Sequence, residues 1–365
     1  MHFKYSNKNY QIQRYPKSSN RSLRPWSAAD EYLIQYLDSL EYIPSNPLLV
    51  NDRFGFLSCV LHASLPTTVI HHFSQEKACR QNSQANQIVL REEQFAYPLD
   101  TLKPSSLAVI KVPKSLDLFH LQLAQLHDAL TDDGEVVAAF MTRHFSPEMV
   151  QIAGQYFEEV DQSQAWKKSR LIHLRGKKEL SKKPDFIHEV SDTSGHSFQQ
   201  YFGVFSAHHI DQASQFLVDH LQMPKEAECV LDLASGNGYL SSALAQQLPE
   251  ANIQLIDDFY LAVESSKLNL QGDRFSFHFG DCLDRFPADF FDGVVCNPPF
   301  HFEHETNIEV SLSLFQEVKK CLKPSGSFQL VANRHLNYSS HLRKWFSEVT
   351  QVAENEKFEV LLCKP

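Results

Sequence analysis

The chain has 365 residues, which is long enough for two domains with separate apolar cores. Its formal net charge of −10 excludes a uniformly basic nucleic-acid-binding protein, so any contact with nucleic acid must come from local groups of cations. The sequence shows neither a signal-like N-terminus nor an apolar run of about 18 residues, so we expect neither export nor insertion into a membrane.

The seven cysteines form no Cys-x-x-Cys pair, and most of them lie in apolar surroundings. This pattern favours reduced, packed thiols over disulfides or a metal site. We therefore expect a cytoplasmic protein. The sequence leaves the oligomeric state open, and a monomer is our expectation.

Residues 1–25 are rich in cations and contain no acidic residue. The basic residues are Lys4, Lys8, Arg14, Lys17, Arg21 and Arg24. We predict a solvated, partly ordered basic tail. The alternative is a cationic arm that contacts phosphate groups.

The stretch after this tail resembles the second half of the chain. The apolar spacing predicts a helix over residues 28–40 and a strand over residues 48–50. From there the two halves match in segments: residues 48–61 with 230–244, 69–73 with 255–259, 110–114 with 295–299, and 134–144 with 326–335. Such echoes indicate a duplicated domain, with copies at residues 26–164 and 196–365.

The first copy has lost polar residues that the second copy carries. In this alignment His71 and His72 stand opposite Asp257 and Asp258. An imidazole pair cannot accept hydrogen bonds from ribose hydroxyls as a carboxylate does. We predict that the first copy kept the fold, lost the chemistry and recognises RNA. The alternative is a domain that only stabilises its neighbour.

The segment between the copies, residues 165–195, holds the densest positive charge. Residues 166–183 carry eight lysines and arginines against the single acid Glu179. We predict a linker segment with an ordered basic face, on which Trp166 packs rather than stacking on a base. A solvated hairpin would show the same composition. The RNA-binding candidates are Lys167, Lys168, Arg170, Lys177 and Lys178.

A helix-like region over residues 194–221 leads into the second copy. Two groups of histidines in the second copy resemble metal ligands in composition, His208-His209 and residues 301–305. Neither group has a distant partner with metal-ligand spacing, so we predict no metal site.

Three strand ends of the second copy predict a site for an adenosine-containing ligand. A strand over residues 229–233 runs into the glycine-bearing turn 234–238, and a helix follows over residues 239–247. Glycines let the backbone approach a ligand, and a helix N-terminus offers unpaired N–H groups. The strand 253–256 leads to Asp257, whose carboxylate can accept from ribose hydroxyls. The strand 275–279 leads to Asp281, in position for the adenine amino group.

Residues 293–296 form an apolar run that ends in Asn297, Pro298, Pro299 and Phe300. Parallel sheets bind ligands at the C-terminal ends of their strands. The prolines stiffen the backbone and leave carbonyl acceptors, and Asn297 adds a side-chain acceptor. These groups fit the two hydrogens of a conjugated –NH2 group, with Phe300 stacked on its ring, and predict methyl transfer to an exocyclic amine. The alternative is a proline-rich loop after a strand.

Taken in this order, the glycine turn, the two acids and the Asn-Pro-Pro-Phe motif resemble the class I S-adenosylmethionine-dependent methyltransferases that act on exocyclic amines. The wider set of motifs is most similar to the ribosomal RNA large subunit methyltransferase G family, over most of the chain. The blocks that carry this resemblance are residues 26–33, 165–168, 203–206, 297–300 and 331–336, together with Asp211 and Asn269.

The resemblance implies two tandem Rossmann-like α/β methyltransferase domains with mostly parallel, doubly wound sheets, of which the N-terminal one is degenerate. It also implies S-adenosylmethionine as cofactor and the exocyclic N2 of a guanine in 23S ribosomal RNA as methyl acceptor. The implied catalytic residues are Asn297, Pro298, Pro299 and Phe300. The implied cofactor-binding residues are Phe205, Asp232, Ala234, Gly236, Gly238, Asp257, Asp281, Cys282 and Asn297.

Three positions depart from the family pattern, which has glycine at Ala234, cysteine at Ser235 and arginine at Ala207. A methyl group at position 234 is harmless where φ is negative and costly where φ is positive. Three other functions stay open. They are a 16S rRNA guanine-N2 methyltransferase, an N5-glutamine protein methyltransferase and a non-catalytic RNA-binding protein.

Overall fold

The computed structural model describes residues 1–18, 20, 22–182, 184–298, 301–302, 305–306 and 308–365, with the backbone alone at 301–302 and 305–306. The chain divides into two compact units, Met1–Phe186 and Ile187–Pro365. Within these described residues, every helix is too short or too polar to cross a membrane.

The first unit contains a two-stranded hairpin and a seven-stranded sheet. The hairpin consists of β1 (His2–Tyr5) and β2 (Lys8–Gln11). The strands of the sheet are β3 (Leu48–Val50), β4 (Thr67–Val69), β5 (Phe95–Ala96), β6 (Ser105–Lys111), β7 (Leu130–Met141), β8 (Phe157–Gln162) and β9 (Ser169–Lys177). The helices are α1 (Ala28–Asp38), α2 (Phe56–Val60), α3 (Phe73–Ala85), α4 (Leu116–Ala129) and α5 (Pro147–Tyr156).

The second unit repeats this plan with a second seven-stranded sheet. Its strands in chain order, including two short hairpins, are β10 (Ile187–Ser191), β11 (Ser197–Tyr201), β12 (Cys229–Leu233), β13 (Asn252–Asp257), β14 (Phe275–Phe279), β15 (Phe291–Cys296), β16 (His301–Phe302), β17 (Glu305–Thr306), β18 (Leu322–Asn333), β19 (Glu348–Glu354) and β20 (Phe358–Lys364). The helices are α6 (Gln212–Asp219), α7 (Tyr239–Gln247), α8 (Tyr260–Asn269), α9 (Glu309–Cys321) and α10 (Tyr338–Leu342).

The two sheets have the same strand order. The first runs β5-β4-β3-β6-β7-β9-β8 and the second β14-β13-β12-β15-β18-β20-β19. In each, five strands are parallel and the last two pair antiparallel. This confirms the predicted pair of tandem, mostly parallel α/β domains.

The central strands are apolar on both faces because each sheet is covered on both sides. In β12, Leu231 and Leu233 belong to one buried cluster, and Val230, the residue before Leu231, belongs to another. Successive side chains of a strand point to opposite faces, so a continuous apolar run serves both clusters. The same rule explains the runs in β3 and β15.

Residues 1–25, predicted as a solvated, partly ordered tail, begin with an ordered hairpin. Phe3 packs edge-on against Trp26 and Phe56, with ring centroids 5.6 and 4.8 Å apart. Tyr10 and Ile12 are buried in the same core cluster as Trp26. The apolar residues of this short segment lie between exposed cations, and their burial overrides the charge that suggested a solvated tail.

The segment predicted as a linker also belongs partly to the first unit. β9 lies between β7 and β8 and pairs with both. Leu171, Ile172 and Leu174 are fully buried on its two faces. The apolar residues of β9 therefore place it inside the sheet, and its basic residues lie towards the strand ends. Trp166 packs against Tyr32, with 5.7 Å between the ring centroids.

The helix-like region over residues 194–221 is only partly helical, so that prediction was wrong at its start. Residues 197–201 form β11, which pairs with β10, and α6 begins at Gln212. In β11 burial alternates, with Phe198 and Gln200 buried. An alternation with period two is the mark of a strand.

The turns after β3 and β12 correspond residue by residue. Asn51 and Ala234 follow these strands with φ values of +63° and +60°. Gly55 and Gly238 end the two turns with φ of +69° and +84° and cap α2 and α7. The duplication seen in the sequence is therefore present in the backbone.

Strand pairing corrects the alignment of the two copies by one residue. Val50 pairs with Val69 and Ile110, and the matching Leu233 pairs with Ile256 and Cys296. One residue further along each strand, Ile70 therefore matches Asp257 and Lys111 matches Asn297. The sequence alignment, which put His71 opposite Asp257, was wrong by one position because it followed residue similarity and not sheet register.

Candidate active site

Four loops of the second unit carry the residues predicted to bind a ligand. They follow β12, β13, β14 and β15, which lie in one parallel part of the sheet. Ala234 follows β12, Asp257 ends β13, Asp281 lies two residues beyond β14, and Asn297 follows β15. The fold thereby brings these residues to one edge, where the strand order reverses beside β12.

The turn 234–238 has left-handed backbone at three positions. Ala234, Gly236 and Gly238 have φ values of +60°, +56° and +84°. A Cβ at Gly238 would lie 2.8 Å from Leu270 Cδ1, whereas a Cβ at Gly236 would meet nothing within 4 Å. The positive φ and the nearby Leu270 both favour glycine at 238, and Gly236 has an open side. Ala234 has the positive φ at which a Cβ is unfavourable, at a cost of about 1 kcal/mol or more relative to glycine.

Backbone contacts hold this turn against β13. The N–H groups of Ala234 and Ser235 donate to the Ile256 carbonyl at 2.9 and 3.2 Å. Gly236 N donates to Asp257 Oδ2 at 2.9 Å, and Phe259 N donates to Asp257 Oδ1 at 2.8 Å. A carboxylate accepts several hydrogen bonds at once, so Asp257 can serve the turn and a ribose together.

Asp232 lies inside the protein below the turn and is fully buried. Its Oδ2 accepts from the backbone N and the Oγ of Ser241, at 2.9 and 2.7 Å. Burial raises the pKa of Asp232 to about 7. Asp232 Oδ1 and Ser235 Oγ are buried and have no hydrogen-bond partner among the described residues. Buried polar atoms normally have partners, so these two atoms are consistent with a polar ligand group or a water at the turn.

The residues after β14 are half-buried. They include Asp281 and Cys282, predicted near an adenine. The backbone N of the next residue, Leu283, donates to Glu317 Oε2 at 2.6 Å, which attaches this loop to α9. The loop is thus anchored, and both predicted residues stay at the same sheet edge as Asp257.

Asn297 is held by the start of α6. Its Nδ2 donates to Asp211 Oδ2 and to Ser214 Oγ, both at 2.9 Å. Both amide hydrogens are used in this way, and no donor contacts Oδ1 in the part of the chain that the structure describes. The side chain therefore presents a hydrogen-bond acceptor. Pro298 is buried, and Pro299 and Phe300 lie outside the described residues.

Phe205 lies on an exposed loop that is connected to the glycine turn. Its side chain is 63% exposed. Gln200 Nε2 donates to the carbonyls of Phe205 and Ser206, at 3.4 and 3.1 Å, and Gln200 Oε1 accepts from Asn237 Nδ2 at 2.8 Å. Sequence reasoning missed Gln200. Its hydrogen bond to Asn237, 37 residues away, leaves no local signal in the sequence.

Asn269 joins three elements, and Asn82 does the same in the first unit. Asn269 Nδ2 donates to the carbonyls of Gln199 and Asn237, at 2.7 and 2.9 Å. Asn82 Nδ2 donates to the carbonyls of Gln13 and Phe54, both at 2.8 Å. Because both copies keep this contact, we assign it to the fold and not to the chemistry.

The matching edge of the first unit is filled by its own side chains. Asn51 Nδ2 donates to the Lys111 carbonyl at 2.7 Å and to Gln122 Oε1 at 2.9 Å. Gln122 Nε2 lies 2.8 Å from His71 Nε2, and burial lowers the pKa of His71 to about 3. His71 is thus neutral and enclosed, and Ile70 stands where the second unit has Asp257.

The five cations predicted to bind RNA differ in their surroundings. Lys177 Nζ donates to the Leu130 carbonyl at 3.0 Å, and Lys178 Nζ donates to the Gly154 carbonyl at 2.7 Å. Lys167 Nζ lies 3.1 Å from Glu31 Oε2, and Arg170 Nη1 donates to Gln162 Oε1 at 3.2 Å. Lys168 is exposed, and its ammonium group has no partner among the described residues.

Comparison with known proteins places both units. The sequence model of the family named RLMG N-terminal domain matches residues 1–178. That of the family named Methyltransferase small domain matches residues 195–362. Ribosomal RNA large subunit methyltransferase G from Vibrio vulnificus, in strains YJ016 and CMCP6, is 31% identical over 365 residues, with 95% of each chain covered.

A solved structure resembles the whole chain. It is the T. Thermophilus 16S rRNA N2 G1207 methyltransferase in complex with AdoMet and guanosine. The TM-score is 0.77 at 21% sequence identity, and the match covers 100% of this chain and 97% of that one. At this identity the likeness supports the tandem fold.

Proposed function

The chain belongs to the ribosomal RNA large subunit methyltransferase G family, and from that premise we propose that it methylates the exocyclic N2 of one guanine in 23S ribosomal RNA. The observation that carries this proposal is Asn297. Its amide hydrogens are bound by Asp211 and Ser214, so that Oδ1 is left as an acceptor at the sheet edge.

The cofactor that we assign to this site is S-adenosylmethionine, which supplies a methyl group on a positively charged sulfur. The open side of Gly236 and the adjacent Asp257 support a place for its ribose beside the turn. Asp281 and Cys282 are proposed to face the adenine. Asp232 holds Ser241 at the start of α7, and so supports the turn from below. Phe205 is proposed to border the same ligand.

Asn297 and Pro298 orient the acceptor amine in this proposal. Asn297 Oδ1 accepts one N2 hydrogen of the guanine, and the Pro298 carbonyl accepts the other. The nitrogen lone pair is delocalised into the ring, so fixing the amine towards the methyl group is the main contribution. The product ammonium loses its proton readily, so the site needs no strong base before the attack. Pro299 and Phe300 keep their predicted roles in stiffening the turn and stacking on the base, which leaves its own stack to enter the site.

A role for the first unit in RNA recognition completes the proposal. Its edge is filled by Asn51, Gln122 and His71, which argues against a second cofactor site. Lys168 and Arg170 at one end of β9 are proposed to contact phosphate groups. We also propose that the protein acts in the cytoplasm, consistent with its seven free cysteines.

The direct test is a methyl-transfer assay with purified protein and S-adenosylmethionine on protein-free 23S rRNA, 16S rRNA and a release factor. We expect transfer to 23S rRNA alone, and mapping of the product in a deletion strain identifies the guanine. Transfer to 16S rRNA or to the release factor would replace the proposed substrate, and the absence of cofactor binding by calorimetry would support a non-catalytic RNA-binding protein.

The role of Asn297 is tested by Asn297→Ala. Loss of the acceptor should lower kcat roughly 100-fold or more, because the amine is no longer oriented. Cofactor affinity should stay nearly unchanged. Asn252→Ala is the matched control. Asn252 is an exposed asparagine at the start of β13, whereas the candidate site lies at the end of that strand. Equal activity of Asn297→Ala and Asn252→Ala would refute the proposed clamp.

A further inference from the structure

The start of α6 contacts Asn297 through two side chains. Asp211 is the N-cap of α6, and its Oδ2 accepts from Ser214 N at 3.0 Å. The same oxygen accepts from Asn297 Nδ2, and Ser214 Oγ accepts from Nδ2 as well, both at 2.9 Å. The N-terminus of α6 therefore accepts both hydrogens of the Asn297 amide, although Asp211 and Asn297 are 86 residues apart in sequence.

These contacts determine which end of the amide faces outward. An asparagine side chain can rotate by half a turn and exchange its acceptor for a donor. An ionised carboxylate only accepts hydrogen bonds, so it pairs with Nδ2 and repels Oδ1. A substrate –NH2 group offers hydrogens, and only Oδ1 can receive them. The rotated amide would bring two donors together.

We propose that Asp211 and Ser214 are positioning residues for methyl transfer, which act by holding the Asn297 amide with Oδ1 towards the acceptor amine. This inference rests on the proposed function and extends it to two residues that contact Asn297. It assigns to the N-terminus of α6 a second task besides capping.

The first unit also has an acid at this helix start, although as the third residue of α1 after the N-cap Ser27. There Asp30, at the start of α1, lies 3.2 Å from Lys111 Nζ, and Lys111 occupies the position of Asn297. Asp30 also accepts from the backbone N and the Oγ of Ser27. An acid at this helix start is common to both units, but only in the second unit does its partner present an acceptor. A purely structural role for the acid is therefore the alternative that the experiment must separate.

The first test compares Asp211→Ser with Asp211→Asn. Serine and asparagine both cap helices well. Serine is too short to reach Asn297, whereas the amide oxygen of asparagine can accept from both Ser214 N and Asn297 Nδ2. We expect Asp211→Ser to lower kcat about 10- to 100-fold, with the Kd for S-adenosylmethionine within about twofold of wild type. Asp211→Asn should restore kcat to within roughly threefold. Ser214→Ala, which keeps the capping N–H, should give a smaller fall in kcat.

The second test asks whether the effect passes through Asn297. In the Asn297→Ala background, Asp211→Ser should change kcat by less than about twofold, because residues that act as a unit are not additive. The same fall in kcat in both backgrounds would overturn the inference and leave Asp211 as a capping residue.

The third test does not depend on turnover, and so separates this inference from the proposed function. Asparagine labelled with ¹⁵N, with the Asn297 signal assigned from its absence in Asn297→Ala, reports the amide directly. We expect its Nδ2 hydrogens to exchange slowly with solvent in wild type, and at least tenfold faster in Asp211→Ser. Unchanged exchange would overturn the positioning role even in an inactive protein. An inactive wild type with the expected exchange would count against the proposed function alone.

Discussion

At Ala234 a methyl group occupies backbone that favours glycine, with φ of +60°. We expect Ala234→Gly to raise the free energy of unfolding by roughly 1 kcal/mol, because the gain from relieved strain exceeds the added entropy of the unfolded chain. Urea unfolding measures this difference. Ala243→Gly, in the middle of α7, is the control and should lower it by about 1 kcal/mol. Two changes of the same sign would contradict the assigned strain.

Asp232 gives the unfolding free energy a pH dependence. Its pKa rises on folding from 3.8 to about 7, through burial. The folded state therefore holds the proton more tightly, so this contribution to stability is fully present below the unfolded value and is lost as pH rises through about 7. Asp232→Asn should remove that loss. Urea unfolding of wild type and Asp232→Asn at several pH values measures this effect. If the free energies of unfolding of the two proteins differed by the same amount at every pH, the assigned role of Asp232 would be contradicted.

At the scale of elements, we expect the hairpin of β1 and β2 to contribute more to the stability of the protein than its basic sequence suggests. Ile12, which follows β2, is fully buried. Ile12→Ala should lower the free energy of unfolding by about 2–4 kcal/mol, as for other large core residues. The exposed Lys8→Ala should change it by less than about 0.5 kcal/mol. If the two variants were equally stable, the segment would be the solvated tail that its charge suggests.

Helices and strands with a regular spacing of apolar residues and a clear end signal were predictable from sequence. The predicted helix over residues 239–247 has the bounds of α7, because Gly238 ends the turn and the apolar spacing follows at once. β14 was predicted equally well. The hairpin and β11 were not, since they consist of short strands with few buried residues among polar ones. In β9 the surrounding lysines and arginines concealed the buried residues Leu171, Ile172 and Leu174. Local pattern is weakest where tertiary contacts supply most of the stability.

The candidate site was predictable only where it follows strand ends. Ala234, Asp257 and Asn297 lie directly at the ends of strands that a sequence can reveal. Gln200 and Ser214 were missed because their partners lie 37 and 83 residues away. The positive φ of Ala234 also depends on the shape of the turn, so the sequence could only predict a cost if φ were positive there. Long-range polar contacts of this kind carry no local signal.

At the scale of the whole molecule, RNA binding should depend on position and not on total charge. Lys168→Ala should reduce the slope of log K against log salt by about 1, because one phosphate contact is lost. Lys177→Ala is the matched control, since its ammonium group already donates to the Leu130 carbonyl. It should leave the slope unchanged. Equal slopes for the two variants in a filter-binding titration would contradict the assignment of Lys168.

The turn at residues 234–238 is held by the protein's own groups, since Ile256, Asp257, Gln200 and Asn269 all form hydrogen bonds with it. Neither substrate has to build the binding place of the other. Methyl donor and RNA should therefore add in random order, and initial-rate plots at several fixed donor concentrations should intersect without either substrate being obligatory first.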